Sequence, residues 1–171
     1  HIAIIPEGTR RGARDHGLPT FEGHRRGCEA ARKIVKHARS VGIHTLTLWA
    51  FSTENWKRTK KEVGYLMHLY AKMTDKFLKE AMEDEVRIVH LGRKDRIPDF
   101  LLEKVKKAEA QTQKFKKNIL NIALDYGGRD EMIRAIKRMN NKQATNSKLT
   151  EQILEQYLDT ANQPYPNPDL I

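Results

Sequence analysis

A four-residue apolar run, Ile2-Ala3-Ile4-Ile5, stops at Pro6 and constrains everything after it. It reads as a buried parallel strand. Proline cannot continue a central strand, and a glycine just beyond lets backbone approach a ligand closely. Glu7-Gly8-Thr9-Arg10-Arg11-Gly12 therefore stands at a strand's C-terminal end, with an acid, small residues and two arginines. Backbone N–H groups and guanidinium forks hold a phosphate in such a setting, and the carboxylate can hold a metal on it. The plain alternative is a surface turn with solvated charges. Gly23-His24-Arg25-Arg26-Gly27 opens a helix, so a second basic cluster is expected at a positive helix end.

The pattern repeats. Thr45-Leu46-Thr47-Leu48-Trp49-Ala50-Phe51 is a strand that runs into Ser52-Thr53-Glu54-Asn55-Trp56-Lys57-Arg58. This strand end carries hydroxyls, an acid, an amide, an indole and cations. In an open parallel sheet adjacent strand ends share one crevice, and ligands bind there.

The rest of the chain alternates in the same way. A first helix is expected from about Gly23 to Ser40, with Cys28, Ala31, Ile34, Val35 and Ala38 facing the sheet. Gly42 stops it, and Ile43 to Phe51 forms the next strand. Lys60 to Asp84 is a long amphipathic helix with a stripe of Val63, Leu66, Met67, Tyr70, Met73, Phe77, Leu78 and Ala81. Val86 to Leu91 is a strand, and Pro98 starts a lysine-rich helix to about Lys117. Asn118 to Leu124 is a strand, Tyr126 to Arg129 a turn, and a helix runs on to about Asn140. A polar loop to Ser147 precedes a short helix, Lys148 to Leu158. The proline-rich stretch Gln163 to Pro168 is extended or turned, and Asp169-Leu170-Ile171 enters a last strand. There is no internal repeat and no domain boundary. The alternation argues for one α/β domain over residues 1–171, with a largely parallel sheet and helices on both faces.

Composition narrows the partners. The formal net charge is +10 over 171 residues, which favours polyanions, anionic membrane surfaces or phosphorylated substrates. The single cysteine, Cys28, excludes a disulfide framework and a cysteine zinc site and fits a reducing compartment. No apolar run approaches the roughly 18 residues of a membrane span. A basic nucleic-acid-binding domain is the reading from another class, but no base-reading motif is present and aromatics make up only 7% of the chain.

Taken together these motifs resemble the cis-prenyltransferases, the family of undecaprenyl and dehydrodolichyl diphosphate synthases. His1 to Pro6, followed by an acid, Gly8 and Arg10-Arg11, is similar to the family's first motif, and Gly23-His24 to its Gly-His pair. Phe51-Ser52-Thr53-Glu54-Asn55-Trp56 with Arg58 is its most specific signature, here intact. Asn121-Ile122-Ala123, Tyr126-Gly127-Gly128-Arg129 and Pro168-Asp169-Leu170-Ile171 match later motifs.

The resemblance implies an undecaprenyl diphosphate synthase-like fold with an apolar tunnel bordered by the Lys60–Asp84 helix. It implies a transferase that condenses isopentenyl diphosphate with an allylic diphosphate such as farnesyl diphosphate, giving a cis-polyprenyl diphosphate. It also implies Mg2+, a homodimer, and a cytoplasmic protein with peripheral membrane association, and no nucleic acid. By resemblance Glu7 takes the place of the aspartate that handles magnesium and the leaving diphosphate. Gly8, Thr9, Arg10 and Arg11 would hold the allylic diphosphate, and His24 would contact or protonate a phosphate oxygen. Ser52, Thr53 and Glu54 would lie where substrate crosses the crevice. Asn55 would accept a proton or position the isopentenyl group; an amide is a poor base, which favours positioning. Trp56 would pack on the prenyl chain, and Arg58 would bind the second diphosphate. The plainer alternatives are a core indole at Trp56, a surface cation at Arg58 and a helix cap at His24.

Departures from the family pattern stand at four positions near the start. The family has aspartate at Glu7, usually asparagine at Thr9 and a bulky aromatic at Gly12; it often has arginine at Thr20. Glutamate keeps the charge but adds a methylene, and a displacement near 1 Å costs on the order of 100-fold in rate. These departures motivate a second expectation, a non-catalytic or weakly active subunit of a two-component enzyme. The chain also starts without methionine inside a strand and stops short of the family's arginine, Gly-Glu and Arg-x-Ser segment. It is expected to be a piece truncated at both ends.

Overall fold

The computed structural model describes residues 1–141 and 149–171. Four strands form one all-parallel sheet: β1 (Ile2–Ile4), β2 (Thr45–Ser52), β3 (Val86–Leu91) and β4 (Asn118–Tyr126), in the order β1-β2-β4-β3. Ile4 stands level with Leu48, and Leu48 with Ile122, so β1 stops short of β2 and β4, which run on together until Ser52 lies beside Tyr126. The last residues add a parallel bridge between Leu170 and Ile2, with the Ala3 N–H donating to Leu170 O.

Among the described residues six α-helices accompany the strands: α1 (Thr9–Asp15), α2 (Thr20–Ser40), α3 (Lys60–Asp84), α4 (Asp99–Thr112), α5 (Gly128–Asn141) and α6 (Glu151–Glu155). Period-two alternation sends Leu46, Leu48, Ile88 and Leu120 to one face of the sheet. There they pack with Ala81 of α3 and Ala108 of α4, while Ala31, Val35 and Ala38 of α2 adjoin them. Phe51 of β2, Leu124 of β4, Leu66 and Met67 of α3, and Leu101 and Val105 of α4 form a second cluster. The other face carries a buried polar contact among apolar residues such as Ile119, Ala123 and Leu91. Asn121 and Gln163 exchange two amide hydrogen bonds at 2.8 and 3.0 Å, and Asn121 also donates to Thr47 Oγ1. Helix α5 is fastened to the segment after α6 through Asp159, which accepts from Arg134 and Arg138 and donates its N–H to Glu131.

The structure differs from the sequence reading at helix ends. The first long helix begins at Thr20 behind Pro19 rather than at Gly23, and an extra short helix, α1, occupies the segment read as a turn. His24 is therefore one turn inside α2, and Arg25 and Arg26 pair with Glu22 instead of crowning the helix start. Ile34, read as sheet-facing, is exposed. Helix α4 stops at Thr112, not Lys117. The buried Thr112 hydroxyl donates to Ala108 O and accepts the Ile88 N–H, which pins the last turn to β3 and turns the chain toward β4. Helix α5 reaches Asn141, and α6 is shorter than the expected 148–158; the expected loop from 142 on and Lys148 lie outside the described residues.

Candidate functional site

Beyond β1 the chain has to reverse sharply. Gly8 has φ 79°, a left-handed conformation that glycine adopts without a Cβ penalty, and α1 starts at the next residue. Helix α1 then lies against the start of α2. A Cβ on Gly23 would stand 2.2 Å from the Thr9 carbonyl oxygen, so only glycine permits this approach. At the neighbouring strand, Ser52 to Lys57 turn into a 3₁₀ helix, where the Ser52 N–H donates to Asn55 Oδ1 at 3.1 Å.

Between these elements a cavity of about 760 Å³ opens. Its mouth is polar. Glu7, Gly8, Thr9, Arg10 and Arg11 line it from the β1 side, Ser52, Asn55 and Arg58 from the β2 side, and His24 from α2. Arg14, which the sequence reading did not single out, stands on the same wall one turn after Arg10. Arg11 and Arg14 have no carboxylate within salt-bridge range among the described residues, so two guanidinium groups remain uncompensated. Behind the mouth the walls are mainly apolar, with Leu48 and Ile122 from the sheet, Ala31 from α2, and Leu66, Met73 and Phe77 from α3, while Thr74 and His90 also line the cavity. Tyr70 joins them, its hydroxyl donating to Ala50 O at 2.7 Å. The stripe read on α3 is thus both core and cavity wall, and its methionine suits a flexible apolar guest. Cys28, half-buried on the same wall, is a free thiol that burial pushes up to about 11.

A carboxylate that sequence reasoning missed organises the mouth. Glu62, 8% exposed, accepts from His24 Nε2 at 3.1 Å and from Arg58 Nη1 at 3.3 Å, with Arg10 Nε at 3.8 Å. Since Nε2–H donates to Glu62, His24 Nδ1 is the acceptor for the Thr9 hydroxyl at 3.2 Å. Burial holds the His24 ring below its ordinary range even though Glu62 acts in the opposite sense. His24 is therefore a neutral tie between α1 and α3, with both nitrogens engaged. The signal for Glu62 in the sequence was Thr59-Lys60-Lys61-Glu62, a helix-start pattern. Thr59 does cap α3, accepting the Glu62 N–H at 3.2 Å, and that local role hides the tertiary one.

Thr53, Glu54 and Trp56 are not on the cavity wall. The Trp56 indole N–H donates to Asp125 Oδ1 at 2.8 Å, and its ring meets Phe51 edge-on with centroids 5.2 Å apart. Asp125 is fully buried at φ 53° and also accepts from the Arg96 guanidinium, which lies over the indole. This group braces the 3₁₀ turn against β4. At Asn55, Oδ1 is committed to Ser52, which leaves Nδ2 as the free end of the amide, a donor only.

A polar, arginine-rich mouth leading into an apolar body suits a molecule with an anionic head and a hydrocarbon tail. Comparison with known proteins agrees. The prenyltransferase family described as undecaprenyl diphosphate synthase matches residues 5–171. An isoprenyl transferase of Bacillus cereus is 41% identical over all of this chain and 67% of its own length. One from Thermotoga maritima is 40% identical, with 73% of its length covered, so the chain spans about two thirds to three quarters of these relatives. Among solved structures, lavandulyl diphosphate synthase from Lavandula x intermedia in complex with dimethylallyl diphosphate superposes with a TM-score of 0.93 at 32% identity. That match covers 99% of this chain and 75% of the other. The chain belongs to the undecaprenyl diphosphate synthase family of prenyltransferases.

Proposed function

We propose that this protein is a cis-prenyltransferase that condenses isopentenyl diphosphate with an allylic prenyl diphosphate to give a cis-polyprenyl diphosphate. The observation that carries this reading is the joined cavity, with unpaired Arg11 and Arg14 at its mouth and apolar walls behind. Diphosphate leaves C1 of the allylic substrate as the isopentenyl double bond attacks that carbon, and loss of a proton makes the new double bond. The demand on the protein is a preorganised clamp for the departing charge. Arg10, Arg11 and the backbone at Gly8 and Thr9 are assigned to the allylic diphosphate, and Arg58 to isopentenyl diphosphate. Asn55 positions the isopentenyl group through Nδ2. His24, being neutral and doubly bonded, holds the clamp in place rather than supplying a proton. Ser52 lines the crossing point, and Trp56 acts by holding the turn that carries Asn55 and Arg58.

Glu7 is the candidate metal ligand. No group of three or more His, Cys, Asp or Glu that could hold an ion occurs among the described residues. A single exposed carboxylate fits Mg2+, which binds through one or two carboxylates and the substrate's phosphates. When bound there, the ion supplies charge neutralisation for the departing diphosphate. Incubation with farnesyl diphosphate, labelled isopentenyl diphosphate and magnesium should give chain-elongated products, and excess chelator should abolish them. Elongation that survives the chelator removes the metal from the scheme, and no elongation at all refutes the reaction.

Glu7, Thr9 and Gly12 favour one further reading, a weakly active or non-catalytic subunit of a two-component enzyme, which predicts elongation only when a partner chain is added. A homodimer is proposed from the exposed Met132, Ile133 and Ile136 on α5, and sedimentation showing a monomer at every concentration would remove it. No helix among the described residues is long and apolar enough to cross a membrane. With its net charge of +10 the protein is proposed to bind anionic membranes peripherally. Co-sedimentation with anionic vesicles should fall as salt rises; binding indifferent to salt and lipid charge contradicts this.

A further inference from the structure

Two buried side-chain nitrogens find no hydrogen-bond partner among the described residues, Nδ1 of His1 and Nδ1 of His90. His90 is the one on the cavity wall. It follows Val86 and Ile88 on β3, on the sheet face that α3 and α4 cover, and its ring is only 7% exposed. Nε2 lies 2.9 Å from the Leu124 carbonyl oxygen, which can only accept. Nε2 therefore carries the proton, and Nδ1 presents a bare lone pair. Burial holds the ring below its ordinary range, which keeps it neutral. The cavity lining contributed by β3, β4 and α4 is otherwise apolar, Ile88, Val105, Ala108, Ile122 and Leu124, and the charges that act on the ring are those of Lys94, Glu109 and Asp159, with Glu109 accepting the His90 backbone N–H at 3.0 Å. A buried acceptor without a donor is costly, and a prenyl chain has no N–H or O–H to offer.

We infer that His90 is a specificity-determining residue whose Nδ1 holds an O–H donor, a water during synthesis, against the β3–α4 wall. The bound donor keeps hydrocarbon off this wall and directs the growing chain along the α2–α3 side. Product length is then limited partly by one hydrogen bond. A further isoprene unit reaches the wall only by stripping the donor from Nδ1. The inference rests on the elongation reaction proposed above.

The test compares product-length distributions from farnesyl diphosphate and labelled isopentenyl diphosphate for the wild type, His90→Leu and His90→Asn. Leucine removes the acceptor with little change in bulk, and its products should lengthen by at least one isoprene unit. Asparagine keeps an acceptor at the δ position and should keep wild-type lengths. Unchanged lengths in His90→Leu overturn the inference, as does His90→Asn behaving like leucine. Imidazole ¹⁵N spectra of the wild type give a reading independent of turnover and of variant folding. An unprotonated Nδ1 that remains hydrogen-bonded when farnesyl diphosphate fills the cavity supports the inference, and a bare Nδ1 in the loaded protein overturns it. Absence of elongation by the wild type refutes the reaction alone, because the spectra still decide the role of His90.

Discussion

Arg11→Ala should weaken binding of an allylic diphosphate by about ten-fold or more while leaving isopentenyl diphosphate affinity nearly unchanged, and Arg58→Ala should do the reverse. Hydrogen bonds to charged groups contribute roughly 1.5–3 kcal/mol each, and each 1.4 kcal/mol is about ten-fold in affinity. The two arginines sit on different supports. Arg11 is on α1, beyond β1, and has no carboxylate partner among the described residues. Arg58 follows the 3₁₀ turn beyond β2 and is held by Glu62. Since β1 and β2 pair directly, with Ile4 level with Leu48, both arginines reach one mouth from opposite walls. That is the geometry two neighbouring diphosphates require. Calorimetric titration of each variant with isopentenyl diphosphate and with a non-hydrolysable allylic analogue reads the selectivity. Equal loss of both ligands in both variants means the two subsites are not separable.

The crevice was legible because strand ends advertise themselves. Pro6 and Gly8 after an apolar run, and Ser52 to Arg58 after another, mark where a parallel sheet stops and a ligand begins. Helix α3 was legible over Lys60–Asp84 because its apolar stripe, Val63 to Ala81, recurs through about five turns and Thr59 caps it. Helix α1 was not, since seven residues with a central glycine and three arginines carry no readable period. The part each signature residue plays was harder still. Trp56 lies within the same motif as Asn55, yet its partner is Asp125, 69 positions away, and nothing local announces that. His90 looked like one more residue of an alternating strand. Its unpaired nitrogen arises only where β3, β4 and α4 meet.

Glu62→Ala should cause the largest loss of stability of any single change at the mouth. Removing one partner of a buried ion pair typically costs about 3–5 kcal/mol, because the remaining charge is left uncompensated. Arg58 and Arg10 are 26% and 54% exposed at the side chain, so water relieves part of that, which places the loss near the lower limit. A loss of about 3 kcal/mol lowers the melting temperature of a domain this size by roughly 6–12 °C. The effect on function should differ in kind. With Glu62 gone, His24 loses the acceptor that fixes its tautomer, Thr9 loses its oriented partner, and Arg58 is free to swing. The KM for isopentenyl diphosphate should rise and kcat should fall together, even at temperatures where the variant is fully folded. Glu62→Gln separates charge from geometry, because the amide oxygen still accepts from His24 while the negative charge is gone. Glu62 acts to raise the His24 pKa against the effect of burial, so His24 in the glutamine variant should titrate at still lower pH than in the wild type. Thermal melts, steady-state kinetics and an NMR titration of His24 make the three readings. An unchanged His24 titration together with wild-type kcat and KM would leave the Glu62 side chain no part in the mouth beyond stability.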